Sequence, residues 1–161
     1  MEPKRQLIYF AYGSNLHPNR LEARIGKSPQ LGIFRLFDYK LNFNKPSIDG
    51  SAKCNISKDR THSVYGVLYN VTPEQKALLD QFEAGYSTTW MNHKNIGQYF
   101  TYLANPPLSN SFLPYHWYKI LVVLGAGYHN FPARYLNMLG CLNSVRDENV
   151  ERTENNLKIF F

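Results

Sequence analysis

The chain has 161 residues, 43% of them apolar and 15% aromatic, with a formal charge of +6. That length predicts a single domain over residues 1–161 that folds without disulfides or metals, and the aromatic content favours a β-rich core. No run nears the roughly 20 apolar residues that cross a bilayer, and the basic residues are scattered rather than interleaved with aromatics as along a nucleic-acid-binding stripe.

Residues 1–5 lead into a short apolar run that stops at Gly13, without the length or cleavage site of a signal peptide. Residues 7–11 read as a strand, broken by Gly13-Ser14-Asn15. A helix is expected over residues 18–25, with Pro18 in its first turn and Gly26 just past its end. Tyr39, Leu41 and Phe43 alternate with Lys40, Asn42 and Asn44, the pattern of a half-buried strand. Ala52, Cys54 and Ile56 alternate in the same way after a turn around Asp49-Gly50. Residues 64–71 are a nearly continuous apolar run, predicting a central strand buried on both faces. Gly66 inside it marks a bend or a close approach by another backbone.

Thr72 can cap a helix that starts at Pro73, with Gln75 completing a capping box. Leu78, Leu79 and Phe82 form its apolar face, and Gly85 ends it. Residues 87–97 are polar and irregular, residues 96–104 read as a strand, and Pro106-Pro107 starts a loop. Residues 118–124 fit two readings. Ile120, Leu121, Val122 and Val123 favour a strand by propensity; Tyr118, Leu121 and Val122, with Pro114 before and Gly125 after, suit a helix. Phe131-Pro132 opens an expected last helix through Leu139. Beyond Asn143 the tail is polar, with Leu157, Ile159, Phe160 and Phe161 to anchor it, so 144–161 is either ordered on the body or loosely packed.

Two places carry chemistry. A strand, a glycine-centred turn and a helix start make an anion-ready site, in which the N–H groups of Gly13, Ser14 and Asn15 could converge on a carboxylate or a polarised carbonyl oxygen. The same pattern also fits a plain strand-to-helix turn. Glu83, four residues after Leu79, stands beside the apolar stripe in the last helical turn, where the dipole opposes an anion and partial burial would raise its pKa. A carboxylate so placed suits a general base near neutral pH; the plainer reading is a solvated glutamate at a helix end. Asp80, one turn earlier, is expected in solvent.

The other polar groups point nowhere in particular. His17, His62, His93, His116 and His129 share no spacing, and Cys54 and Cys141 show no metal pattern, so no metal is expected. Two cysteines without a framework fit a reduced, cytoplasmic protein. Ser14 lacks a nucleophile elbow, and Gly125-Ala126-Gly127 lacks the rest of a dinucleotide fingerprint. The charge of +6 leaves three readings: a solvated basic surface, a nucleic-acid face unsupported by any motif, or attraction of an anionic small substrate.

Tyr9-Phe10-Ala11-Tyr12-Gly13-Ser14-Asn15-Leu16 resembles the signature of the γ-glutamylcyclotransferase-like family, in its AIG2-like, γ-glutamylamine cyclotransferase group. The resemblance continues in Tyr65-Gly66-Val67-Leu68-Tyr69, in Leu79-Asp80-Gln81-Phe82-Glu83 with Tyr86 after it, and in Tyr102-Leu103. Tyr118, Gly125-Ala126 and residues 124–139 follow the family's C-terminal pattern more loosely. It implies an α+β fold, a small mixed β-barrel with flanking helices. The implied reaction is intramolecular: the α-amine of a γ-glutamyl group attacks its own γ-carbonyl, giving 5-oxoproline and a free amino acid or amine. The resemblance implies no cofactor and no metal. It makes Glu83 catalytic, Tyr9, Phe10, Ala11, Tyr12, Gly13 and Ser14 the substrate loop, to which the loop amides add Asn15, and Tyr118 a further substrate contact. Asn130 replaces a glycine expected before Phe131-Pro132, and Arg134 stands where an acidic residue is common.

The expected partner is therefore a small γ-glutamyl molecule, with no nucleic acid and no membrane, and the protein is a monomer or a homodimer. A non-catalytic binding module that keeps the fold and the loop is the alternative.

Overall fold

The computed structural model describes residues 5–161. Five strands form one mixed sheet: β1 (Leu7–Ala11), β2 (Gln30–Pro46), β3 (Ala52–Val71), β4 (Tyr86–His93) and β5 (Gly97–Ala104), in the order β2-β3-β1-β5-β4. The helices are α1 (Pro18–Ile25), α2 (Pro73–Phe82), α3 (His116–Tyr128), α4 (Ala133–Gly140) and α5 (Val150–Leu157), with a terminal 3-10 turn. The short β1 lies in the middle, antiparallel to β3 along its whole length and parallel to β5 at Tyr9 and Phe100. The architecture is the mixed α+β one expected, with flanking helices. The sheet stays open, since no ladder joins β2 to β4 among the described residues. No helix among those residues is long and apolar enough to cross a membrane.

The alternating runs at 39–44 and 52–56 belong to a long hairpin of 17 and 20 residues, turned at Asp49-Gly50 with Gly50 at φ +87°. Residues 64–71 are the far half of β3, held between β2 and β1, and Val64, Val67, Tyr69 and Val71 are almost wholly buried. Gly66 marks a close approach: a Cβ there would collide with the Phe10 ring and the Ala11 carbonyl oxygen. β1 can therefore lie flat against β3, which fixes where the loop after it emerges.

α2 begins as its sequence dictates. The Thr72 hydroxyl accepts from the Gln75 N–H at 3.1 Å, and the Thr72 N–H donates to the Gln75 side chain at 3.0 Å. Gly85, at φ +81°, turns the chain back into β4. That strand is regular, contrary to the irregular stretch expected from its polarity. Thr88, Thr89, Trp90 and Met91 suit a strand, and every residue from Tyr86 to His93 pairs with β5.

Residues 118–124 are helical. Trp117, Tyr118, Leu121, Val122, Gly125 and Ala126 form one buried stripe at helical spacing, so burial decides against β propensity. Gly125 lets α3 touch the loop before α1, where a Cβ would lie 2.5 Å from the Leu16 Cβ and 2.8 Å from the His17 nitrogen. Asn130 sits at φ +53°, a conformation that asparagine tolerates better than most residues, which accounts for a glycine position being filled by it.

α4 is not the last helix. The tail forms α5, tied down by the buried Asp147, which accepts from Trp117 Nε1 at 2.8 Å and from Arg152 Nε and Nη2 at 2.6 Å each. The Arg152 guanidinium holds the Asp147 carboxyl well below the usual range.

Candidate active site

The end of β1, the loop after it, the end of α2 and the start of α3 meet around a narrow recess. Tyr9, Tyr12, Gly13, Ser14 and Asn15 form one wall; Cys54, Glu83, Tyr86, Tyr102 and Tyr118 form the other. The recess holds about 30 Å³, room for the head of a ligand rather than a whole one.

Glu83 caps the C-terminus of α2 instead of occupying its last turn, with φ −101° and ψ 38°. Its side chain is 13% exposed. The Asn15 amide donates to Glu83 Oε1 at 3.1 Å and to the Tyr9 hydroxyl at 3.1 Å, while its oxygen accepts from Arg24 Nη1 at 3.1 Å. Arg24 Nη1 is also 3.9 Å from Glu83 Oε1. Burial raises the Glu83 pKa above its ordinary value; Arg24 and Asn15 pull it back only in part. The result is a carboxylate held in place by an amide and kept more basic than usual.

The loop divides in two. Phe10 and Ala11, expected among the substrate residues, are core: both are wholly buried, and the Phe10 ring packs on Phe34 and Tyr99. They fall short of the recess because Phe10 points to the face opposite Tyr9, and Ala11, paired with Val67 of β3, carries only a methyl group. Tyr9, Tyr12, Gly13, Ser14 and Asn15 reach it. The Asn15 side chain spends its bonds on Tyr9, Glu83 and Arg24. Gly13, Ser14 and Asn15 precede the helix instead of opening it, since α1 starts at Pro18 with His17 as its cap. Gly13 makes room for Cys54, whose Cβ would lie 3.1 Å from an added Cβ.

Tyr118 projects from α3 into the same recess, and its hydroxyl accepts from the Cys54 N–H at 3.0 Å. The Tyr86 hydroxyl donates to the Cys54 carbonyl at 2.6 Å, and the Tyr102 hydroxyl donates to Asp80 at 2.6 Å. Asp80 is thus exposed, as expected, yet engaged. Burial pushes the Cys54 thiol up to about 12, so it stays protonated at neutral pH. Among the described residues no cluster of three or more His, Cys, Asp or Glu side chains could hold a metal.

The recess opens into a cleft of about 380 Å³, and Ser14, Glu83, Tyr86 and Tyr118 line both. Arg20 and Arg24 of α1, Lys45 of β2, Lys53 of β3 and Arg152 of α5 border the cleft, with Asp49 and Glu83 as its carboxylates. None of these cations stood out in the sequence. They come from four elements, and only the fold brings them together.

Residues 9–119 match the family model described as γ-glutamyl cyclotransferase, AIG2-like. The chain belongs to this family. Its fold is also that of a solved structure titled γ-glutamyl cyclotransferase, at TM-score 0.77 and 23% identity over 96% of this chain and 99% of that one. An uncharacterized protein from Homo sapiens matches at TM-score 0.77 and 22% identity, over 95% and 98% of the two chains. YkqA from Bacillus subtilis matches at 0.67 and 19%, over 88% of this chain and 56% of that one. No curated protein matches by sequence. Family and fold together indicate a γ-glutamyl cyclotransferase-like enzyme. Every residue of the recess falls within the matched stretch, whereas Arg152 and Asn156 of the cleft lie beyond it.

Proposed function

We propose that this chain cyclises γ-glutamyl amino acids or γ-glutamyl amines to 5-oxoproline, releasing the amino acid or amine, with Glu83 as general acid and base. The observation that carries this reading is the buried Glu83 carboxylate, raised in pKa by burial and held by Asn15 beside an otherwise uncharged recess.

The substrate's α-ammonium gives one proton to Glu83 and becomes nucleophilic. Its nitrogen then bonds to the γ-carbonyl carbon. The bond from that carbon to the leaving nitrogen breaks as Glu83 returns the proton to it. The attacking nitrogen's second proton passes to the released amine, so 5-oxoproline forms and the amine departs as an ammonium ion. No net proton is consumed, and no metal or cofactor takes part.

The attacking and attacked groups belong to one molecule, so the site's task is to hold a folded conformer. Tyr9, Tyr12, Gly13 and Ser14 line the side where the glutamyl end would sit. The N–H groups of Gly13, Ser14 and Asn15 take no acceptor among the described residues. They are suited to the substrate carboxylate or to the developing oxyanion. The Tyr9 hydroxyl accepts a bond from the Asn15 amide and keeps a proton to donate. Phe10 and Ala11 support the loop from the core, and Asn15 orients Glu83.

Incubation of the folded protein with γ-glutamyl-alanine and with γ-glutamyl-butylamide, followed by assay for 5-oxoproline, tests the reading. Product from at least one is expected. Absence of 5-oxoproline from every γ-glutamyl compound would leave the binding module as the better account.

A further inference from the structure

The cations of the cleft are unequally matched. Lys53 Nζ is 2.9 Å from Asp49, and Arg152 is held by Asp147. Arg24 faces Glu83. Arg20 and Lys45 have no carboxylate partner among the described residues. Lys45 Nζ donates to the Pro46 carbonyl at 3.0 Å and lies over the Tyr86 ring. Arg20 Nη1 donates to Asn156 Oδ1 at 3.0 Å, and its Nε is buried with no acceptor. An unpaired buried guanidinium nitrogen is uncommon and costly. Burial, with Arg24 beside it, pushes the Arg20 pKa down to about 10.

Arg20 is also aimed. Asn156 accepts from Arg20 through one amide atom and donates through the other to the Arg152 carbonyl at 2.8 Å. Arg152 is fixed by Asp147, which is fixed by Trp117 of α3. The tail helix thus sets the direction of a guanidinium that forms no salt bridge among the described residues, although Glu83 acts on it through space.

We infer that the cleft selects γ-glutamyl substrates whose leaving group carries two carboxylates, as in γ-glutamyl-glutamate, with Arg20 and Lys45 each taking one. The inference rests on the cyclotransferase reading and names its substrate class. Ring closure consumes the bond at the boundary between recess and cleft, where Glu83 lies, so the glutamyl part occupies the recess and the leaving amino acid the cleft. A leaving group with one carboxylate satisfies one of the two free cations. An uncharged amine satisfies neither, and a diamine adds repulsion.

The test compares kcat/KM for γ-glutamyl-glutamate, γ-glutamyl-alanine, γ-glutamyl-butylamide and γ-glutamyl-putrescine, read as 5-oxoproline. The expected order is the order given. Arg20→Gln and Lys45→Gln should each lower the ratio of the glutamate to the butylamide value by about tenfold, the loss expected for a charge-assisted hydrogen bond. Lys45→Gln keeps the test valid if the more buried Arg20 cannot be replaced. Arg60→Gln, an exposed change on β3 that lines neither the recess nor the cleft, controls for net charge and should leave the ratio alone. Equal kcat/KM for γ-glutamyl-glutamate and γ-glutamyl-butylamide would overturn the inference while leaving the cyclotransferase reading intact. A ratio that falls as much in Arg60→Gln as in Lys45→Gln would overturn it as well. No 5-oxoproline from any of the four would take down both.

Discussion

The recess and the cleft share Ser14, Glu83, Tyr86 and Tyr118, yet they are built differently. Around the recess five tyrosines surround one carboxylate, and their hydroxyls are anchored to backbone or to neighbouring side chains. Around the cleft five cations face two carboxylates, and two of those cations, Arg20 and Lys45, form no salt bridge among the described residues. The recess is assembled within the stretch that matches the family; the cleft is completed by a tail helix beyond it. The carboxylate proposed for the proton transfers and the cations proposed to choose the leaving group thus sit side by side, and Arg20 and Lys45 belong to the matched stretch while the helix that holds Arg20 lies beyond it.

The largest effect that would sharpen this contrast is at Glu83. Glu83→Gln should lower turnover by about 100- to 10,000-fold on every γ-glutamyl substrate, whatever its leaving group. The same variant bears on stability. Because burial raises the Glu83 pKa in the folded protein, the carboxyl contributes stability that is fully present below its ordinary value of 4.5 and is lost as pH rises through the raised value. Thermal melting should therefore show Glu83→Gln gaining on the wild type at neutral pH, and the gain vanishing below pH 4.5.

Asn15→Ala comes next, with kcat lowered roughly tenfold through misplacement of the carboxylate. Asn15 donates to the ionised form of Glu83, so its loss should move the acid limb of the kcat/KM profile to higher pH. A fall in kcat with an unmoved limb would mean that Asn15 acts on the loop and not on Glu83. Tyr118→Phe strips the Cys54 N–H of its acceptor and should cost about 1–3 kcal/mol in denaturant unfolding. The smallest effect belongs to the cleft. Lys45→Gln should change KM for γ-glutamyl-alanine only about two- to threefold, since its charge is partly solvated. A drop in kcat there would erase the distinction between the two regions.

Much of the recess was legible in the linear chain, because its parts are local. Thr72 with Gln75 starts α2, Gly85 ends it, and between them the spacing from Leu79 sets Glu83 beside the apolar stripe. Gly66 marked the close contact that lets β1 lie on β3. What stayed hidden depends on pairing across long separations. β4 looked irregular because its polar residues do not reveal its pairing with β5, and the family resemblance set Phe10 and Ala11 with the substrate loop although they end β1 in the core. The tail looked equally able to dock or to stay loose, since a single buried carboxylate, Asp147, decides it through Trp117 and Arg152. The cations of the cleft were read only as scattered charge, and no spacing rule links Arg20, Lys45 and Arg152.

The most direct test of the account joins binding to turnover at one residue. Titration of the wild type and of Glu83→Gln with 5-oxoproline, beside their turnover of γ-glutamyl-alanine, separates holding from chemistry. Binding within a few-fold of the wild type together with lost turnover is the predicted result. Turnover retained in Glu83→Gln would contradict the assignment of the proton transfers to that carboxylate.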